Sequence, residues 1–186
     1  MTLSQRRVAI LVTDGFEQVE LAAPADALRK AGAQITVVSP KDDTIQGMNH
    51  DEKGDTFRPD ARLSTTKPDG FDALLLPGGV ANPDYLRVNP EAVAFVRHFV
   101  TAAKPIAAIC HGPWTLIEAG GVKGHTMTSW PSLRSDLSNA GADWVDQEVV
   151  VDGRLITSRK PDDIPAFTKA FIGVLEEGGQ RPKHAA

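Results

Sequence analysis

Cys110 is the only cysteine in the 186-residue chain, and His111 follows it directly in the stretch Ile109-Cys110-His111-Gly112-Pro113. Three readings compete for it: a buried hydrophobe, a metal ligand or a nucleophile. Free cysteine is among the most buried residue types, which favours the first. The other histidines, His50, His98, His125 and His184, make no zinc-ligand spacing with it, which argues against the second. Position favours the third. Cys110 ends the aliphatic run of residues 105–110 and precedes a helix-like run. A strand–turn–helix elbow of that kind can expose one side chain at the edge of a sheet, as serine elbows do. Gly112 permits a close backbone approach beyond the turn. The helix N-terminus supplies free N–H groups and partial positive charge. Together these are expected to lower the thiol pKa from about 8.5.

Two other segments end where Cys110 would. "VAILVTDGFE" carries Glu17, and "ALLLPGG" carries Gly78 and Gly79, whose N–H groups could face an oxyanion. Pro-Gly-Gly is also an ordinary turn signal. Asp14-Gly15-Phe16-Glu17 fits a helix N-cap followed by an acid at the third helical position, a capping box. That role is compatible with a place at the sheet edge. His111 as a base would need an acid to orient it. There is no GxxxxGK[ST] or GxGxxG motif, so the sequence makes no case for a nucleotide site.

The elements that must position these residues alternate along the chain. Strands are expected at 7–12, 33–39, 71–79 and 105–110, with further strands in "HTMTS", "WVDQEVVVDG" and "RLITS". Helices are expected at 16–32, 91–103, 112–121, in "PSLRSDLSNAG" and at 162–177, with Pro24 either kinking the first or marking a boundary. Residues 40–70 are polar and read as a surface excursion containing a hairpin or loop. Strand–helix–strand units favour a mostly parallel sheet covered on both faces, an α/β/α sandwich of three layers. In such sheets chemistry gathers beyond the carboxyl ends of the strands, which is where the three segments would converge. We expect one domain over 1–178 and a frayed tail over 179–186.

Composition excludes several classes. Apolar residues make up 41% and charged residues 24%, with a net charge of −4 and no Lys/Arg block. A nucleic acid or an anionic membrane is therefore not expected as a partner. No run approaches a membrane span, and the N-terminal apolar run, Val8 to Val12, is too short for a signal peptide. A single cysteine suits a reducing compartment, so a soluble cytoplasmic protein is expected.

Taken together, the stretches "ILVTDGFEQVEL", "FDALLLPGG", "KPIAAICHGPWTLIEAG", "NAGADWVDQEVVVDG" and "TSRKPDDIPAF" resemble the PfpI family of intracellular cysteine peptidases and stress-linked deglycases. That family shares a superfamily with the class I glutamine amidotransferase domains. The resemblance implies a flavodoxin-like fold and no cofactor or metal. It implies that Cys110 is the nucleophile at the elbow, His111 its base, and Glu17 the carboxyl that approaches the sulfur. Gly79, beside Gly78, would offer an N–H to the oxyanion. In the archaeal peptidase type the acid orienting the histidine is a glutamate of a neighbouring subunit. Its match here is Asp84, one methylene shorter, after a segment one residue longer. That implies a homodimer, or dimers assembled into a hexamer, with the active site near the interface. Trp114 follows "CHGP" and either packs or narrows the cleft. The implied activity is hydrolysis of peptide bonds or of dicarbonyl-derived adducts (deglycase or glyoxalase-like). The alternative is a redox sensor or holdase whose Cys110 is oxidised without turnover.

Overall fold

A computed structural model describes residues 2–178; the expected tail at 179–186 lies outside the described residues. The strands are β1 (Arg7–Leu11), β2 (Phe16–Glu17), β3 (Gln34–Ser39), β4 (Ile45–Asn49), β5 (Glu52–Phe57) and β6 (Ala61–Arg62). After them come β7 (Ala73–Leu76), β8 (Ile106–Ile109), β9 (Thr126–Met127), β10 (Asp143–Trp144), β11 (Val149–Asp152) and β12 (Leu155–Ser158). The helices are α1 (Gln18–Lys30), α2 (Ala81–Arg87), α3 (Pro90–Thr101), α4 (Pro113–Ala119), α5 (Arg134–Asn139) and α6 (Ile164–Glu177).

Seven strands form the main sheet in the order β11-β12-β8-β7-β1-β3-β6, parallel throughout except for β11. The aliphatic strands are buried on both faces because helices cover both. Side chains alternate accordingly. Val8, Ile10 and Val12 join Leu21, Leu28, Phe167 and Phe171 of α1 and α6 on one face. Ala9 and Leu11 join Phe95, Phe99 and Leu116 of α3 and α4 on the other. This is the flavodoxin-like three-layer sandwich. No described helix is long and apolar enough to cross a membrane.

Register sets the site. Ile10 pairs with Leu75, Leu75 with Ala107, and Ile109 with Ser158. The carboxyl ends of β1, β7, β8 and β12 therefore lie side by side, and the residues just after them share one edge.

Three local expectations change and one alternative, at Pro24, is settled. The short helix α2 follows the Pro-Gly-Gly turn, where no helix was expected. The stretch Trp144–Gly153 divides, with Trp144 in the β9–β10 pair and Val149–Asp152 at the sheet edge. Pro24 sits inside α1, buried, instead of ending it. The capping box does not form: α1 starts at Gln18 with Glu17 as an N-cap whose side chain makes no capping bond. The Asp14 carboxylate instead accepts the Gln46 N–H at 2.9 Å and pairs with Lys41 at 2.9 Å, which ties the polar excursion down. Within that excursion β4 and β5 form the expected hairpin, and β4 runs beside β2 at the site.

Candidate active site

Cys110 has φ 61°, in the left-handed region that costs a non-glycine residue about 1–2 kcal/mol. The elbow is held from three sides. The Cys110 N–H donates to the Ser158 carbonyl at 3.1 Å, the Trp130 N–H to the Cys110 carbonyl at 2.9 Å, and the Gly112 N–H to the Ile109 carbonyl at 2.9 Å. Gly112 is required by space: a Cβ there would sit 2.5 Å from the Leu76 carbonyl oxygen. Backbone strain at a residue so firmly held is typical of functional positions.

The Pro-Gly-Gly turn closes over the sulfur. A Cβ on Gly78 would meet the Cys110 Cβ at 2.6 Å, and one on Gly79, at φ 74°, would strike the Gly15 carbonyl oxygen. The Gly79 and His111 N–H groups are directed at the sulfur. The Gly78 N–H is not available to an oxyanion, because it donates to Glu20 Oε2 at 2.8 Å. Asn82, fully buried at the start of α2, staples this turn to β1. Its Oδ1 accepts the Thr13 N–H at 2.8 Å, and its Nδ2 donates to the Pro77 and Gly78 carbonyls at 3.0 and 3.1 Å.

The carboxyl that meets Cys110 is Glu20, not Glu17. Glu20 is completely buried on the first turn of α1. Its Oε1 has no conventional hydrogen-bond partner, and the carboxyl interacts with the Cys110 thiol. Burial pushes its pKa from 4.5 up to about 8, and neighbouring Glu17 adds to the rise. Glu17 lines the same cleft, but its Oε2 accepts the His50 N–H at 3.1 Å from the β4–β5 turn. The helical turn explains the exchange. Glu17 precedes α1 and points at the hairpin, while Glu20 falls on the inward stripe with Leu21, Pro24, Ala25 and Leu28.

The expected lowering of the thiol pKa is reversed. Burial pushes the Cys110 thiol up, and the Glu20 carboxylate pushes it further, against the two N–H groups that favour the thiolate. The helix N-terminus cannot compensate for the loss of water around the sulfur. Burial also lowers His111 to about 4, so the imidazole is neutral near pH 7. His111 Nδ1 is 3.2 Å from Cys110 Sγ, and Nε2 is 3.3 Å from Ser132 Oγ. The ring stacks on Trp130 at 5.9 Å between centroids and meets the edge of Trp114 at 5.2 Å.

Trp114 packs behind His111, with its Nε1 donating to Asp136 at 2.7 Å, and does not line the cleft. Asp84 is exposed in the first turn of α2 and is also absent from the lining. The cleft itself holds about 460 Å³, bounded by Glu17, His50, Gly79, Cys110, Trp130 and Pro161.

Comparison with known proteins decides the lineage: residues 6–173 match the DJ-1/PfpI family. The chain belongs to that family. Within it, the chain is 44% identical over 170 residues to a deglycase of Pyrococcus abyssi, covering 91% of this chain and 99% of the relative. It is also 44% identical over 173 residues to protein/nucleic acid deglycase 2 of Escherichia coli, covering 91% and 98%. Among solved structures, a two-domain protein of Anabaena variabilis with DJ-1/ThiJ/PfpI-like and ferritin-like domains superposes with TM-score 0.87 at 34% identity. That match covers 98% of this chain and 52% of the other.

Sequence reasoning missed Glu20, Trp130, Ser132 and Asn82. Only Glu20 left a readable signal: a glutamate on the apolar stripe of an amphipathic helix is a buried charge that needs a reason.

Proposed function

We propose that this DJ-1/PfpI protein is a deglycase-type hydrolase of dicarbonyl-derived adducts, with Cys110 as nucleophile. The observation that carries this reading is the buried trio at one sheet edge: a thiol, an imidazole 3.2 Å from it and a carboxyl raised to about 8. The deglycase names of the relatives support it. The upward push on the buried thiol supports activation of the sulfur on substrate arrival rather than a standing thiolate. That weakens the redox-sensor alternative, which needs a standing thiolate. A cleft of about 460 Å³ favours a small adduct over a folded peptide chain.

The chemistry balances as adduct plus water giving free amine and hydroxy acid. The amine leaves the aldehyde-level carbon of a methylglyoxal hemiaminal with the hydroxyl proton, and the sulfur adds to the carbonyl so freed, forming a hemithioacetal. The thiol proton passes to His111 Nδ1, 3.2 Å away. The Gly79 and His111 N–H groups steady the negative oxygen as the sulfur engages carbon. Glu20, with a pKa near the working pH, moves the proton from the sulfur-bearing carbon to the former ketone carbon. The resulting thioester is cleaved by water, which releases lactate and restores the thiol.

We propose further that the chain self-associates through the face around α2. Val80, Tyr85 and Val88 are exposed there by 60%, 59% and 76%, and Asp84 lies among them, facing any second copy.

The test is lactate and free amine release from methylglyoxal-treated N-acetyllysine, measured against the rate from free methylglyoxal. Wild type should release both, and Cys110→Ser should lose at least 10³-fold, on the order of what a missing nucleophile costs. Full activity in Cys110→Ser refutes the reading.

A further inference from the structure

We propose that Ser132 is a positioning residue for His111, supplying from within one chain the orienting contact otherwise sought in a neighbour's carboxylate. This rests on the hydrolase reading above. His111 can take a proton from Cys110 only through Nδ1, the nitrogen 3.2 Å from the sulfur. A neutral imidazole carries one proton, so Nδ1 is free only when Nε2 holds it. The Nε2–H then needs an acceptor, and the group placed to accept it is Ser132 Oγ at 3.3 Å. With Nδ1 open toward the thiol, Oγ accepts the Nε2–H and holds the ring in that form.

The local sequence builds the contact. The Trp130 N–H donates to the Cys110 carbonyl, so the strand-to-turn segment starting at Trp130 is fixed to the elbow. Pro131–Leu133 then makes one 3-10 turn, with Leu133 fully buried as its anchor. Trp130 presents its ring to the imidazole face, and two residues later Ser132 reaches the imidazole edge from the solvent rim. The stacked indole and the edge of Trp114 fix the ring plane, while the hydroxyl holds the Nε2 edge. A hydroxyl does not stabilise imidazolium as a carboxylate does, which agrees with a histidine lowered to about 4. His111 so held serves as a transient proton carrier, with Glu20 as the longer-lived proton store.

The experiment pairs kinetics with histidine ¹⁵N NMR at pH 7, on wild type, Ser132→Ala, Ser132→Thr and Asp84→Asn. The expected result is an Nε2–H tautomer in wild type and a mixture in Ser132→Ala. In the same variant kcat falls about tenfold, part of the roughly 10²–10⁴ that a positioned general base contributes, while KM stays within about twofold. Ser132→Thr, which keeps the hydroxyl at an exposed rim, restores both readouts. An unchanged tautomer or an unchanged kcat in Ser132→Ala overturns the proposal, and so does a loss that appears only in Asp84→Asn. The tautomer needs no turnover. A wild type that processes no adduct yet loses its Nε2–H tautomer in Ser132→Ala refutes the hydrolase reading and keeps the Ser132 assignment.

Discussion

Replacing Glu20 by glutamine should make the protein more stable, increasingly so as pH rises. In the unfolded chain this carboxyl loses its proton near 4.5; in the fold it holds it to about 8. Between those values the folded state binds more protons than the unfolded one, so wild-type stability falls as pH increases through the window. At about 1.4 kcal/mol per unit of pH, the full window amounts to about 5 kcal/mol, of which about 4 develops between pH 5 and 8. Glutamine has nearly the same shape, can still accept the Gly78 N–H and has no charge to desolvate. The lowered His111 works in the opposite direction at lower pH, but it is present in both proteins and cancels in the difference. The assay is guanidinium unfolding followed by tryptophan fluorescence at fixed protein concentration, from pH 5 to 8.5. The variant should be within about 1 kcal/mol of wild type at pH 5 and ahead by about 2–4 kcal/mol at pH 8. A difference that stays flat with pH, or a variant that is less stable at pH 8, refutes the buried-acid account.

Two other perturbations probe the same edge. The alkylation rate of Cys110 against pH should show a midpoint above the ordinary thiol range, and Glu20→Gln should move it down by removing the carboxylate beside the sulfur; a wild-type midpoint below about 7 contradicts the raised thiol. Asn82→Ala leaves the Thr13 N–H and two turn carbonyls without the partner that staples them, so calorimetry should show a loss of about 2–4 kcal/mol; a change below about 0.5 kcal/mol denies Asn82 that role.

What the sequence disclosed about this fold was what periodicity and chain order encode. Runs such as Arg7–Leu11 and Ile106–Ile109, short, aliphatic and bounded by turn signals, read as strands buried on both faces, and their alternation with amphipathic helices favours a parallel sheet. The elbow at Cys110 was legible for the same reason, as a reactive residue where one period gives way to another. Which carboxyl faced the sulfur was not legible. Glu17 and Glu20 are three residues apart, and the choice depends on where α1 begins. Asp14 gave a plausible cap, but its carboxylate is drawn away to Gln46 and Lys41, contacts 32 and 27 residues distant. With the start at Gln18, Glu20 turns inward. Trp130 and Ser132 were hidden because no local pattern links them to Cys110; a long-range backbone bond does.

The two carboxylates of the cleft then divide the work according to their surroundings. Glu17 accepts a backbone N–H from the hairpin and sits at the cleft wall. Glu20 lies under the sulfur, with one oxygen on Gly78 and the other without a conventional partner. A buried oxygen left in that state destabilises the fold, and such a defect persists where it serves chemistry. Here it keeps a carboxylic acid protonated near neutral pH beside a thiol, where the proposed mechanism needs a group that gives and retakes a proton in one turnover. The same defect is the reason the stability of Glu20→Gln should rise while its turnover falls. A variant that gained stability at pH 8 and kept full kcat would leave the buried acid without a purpose and would remove Glu20 from the mechanism.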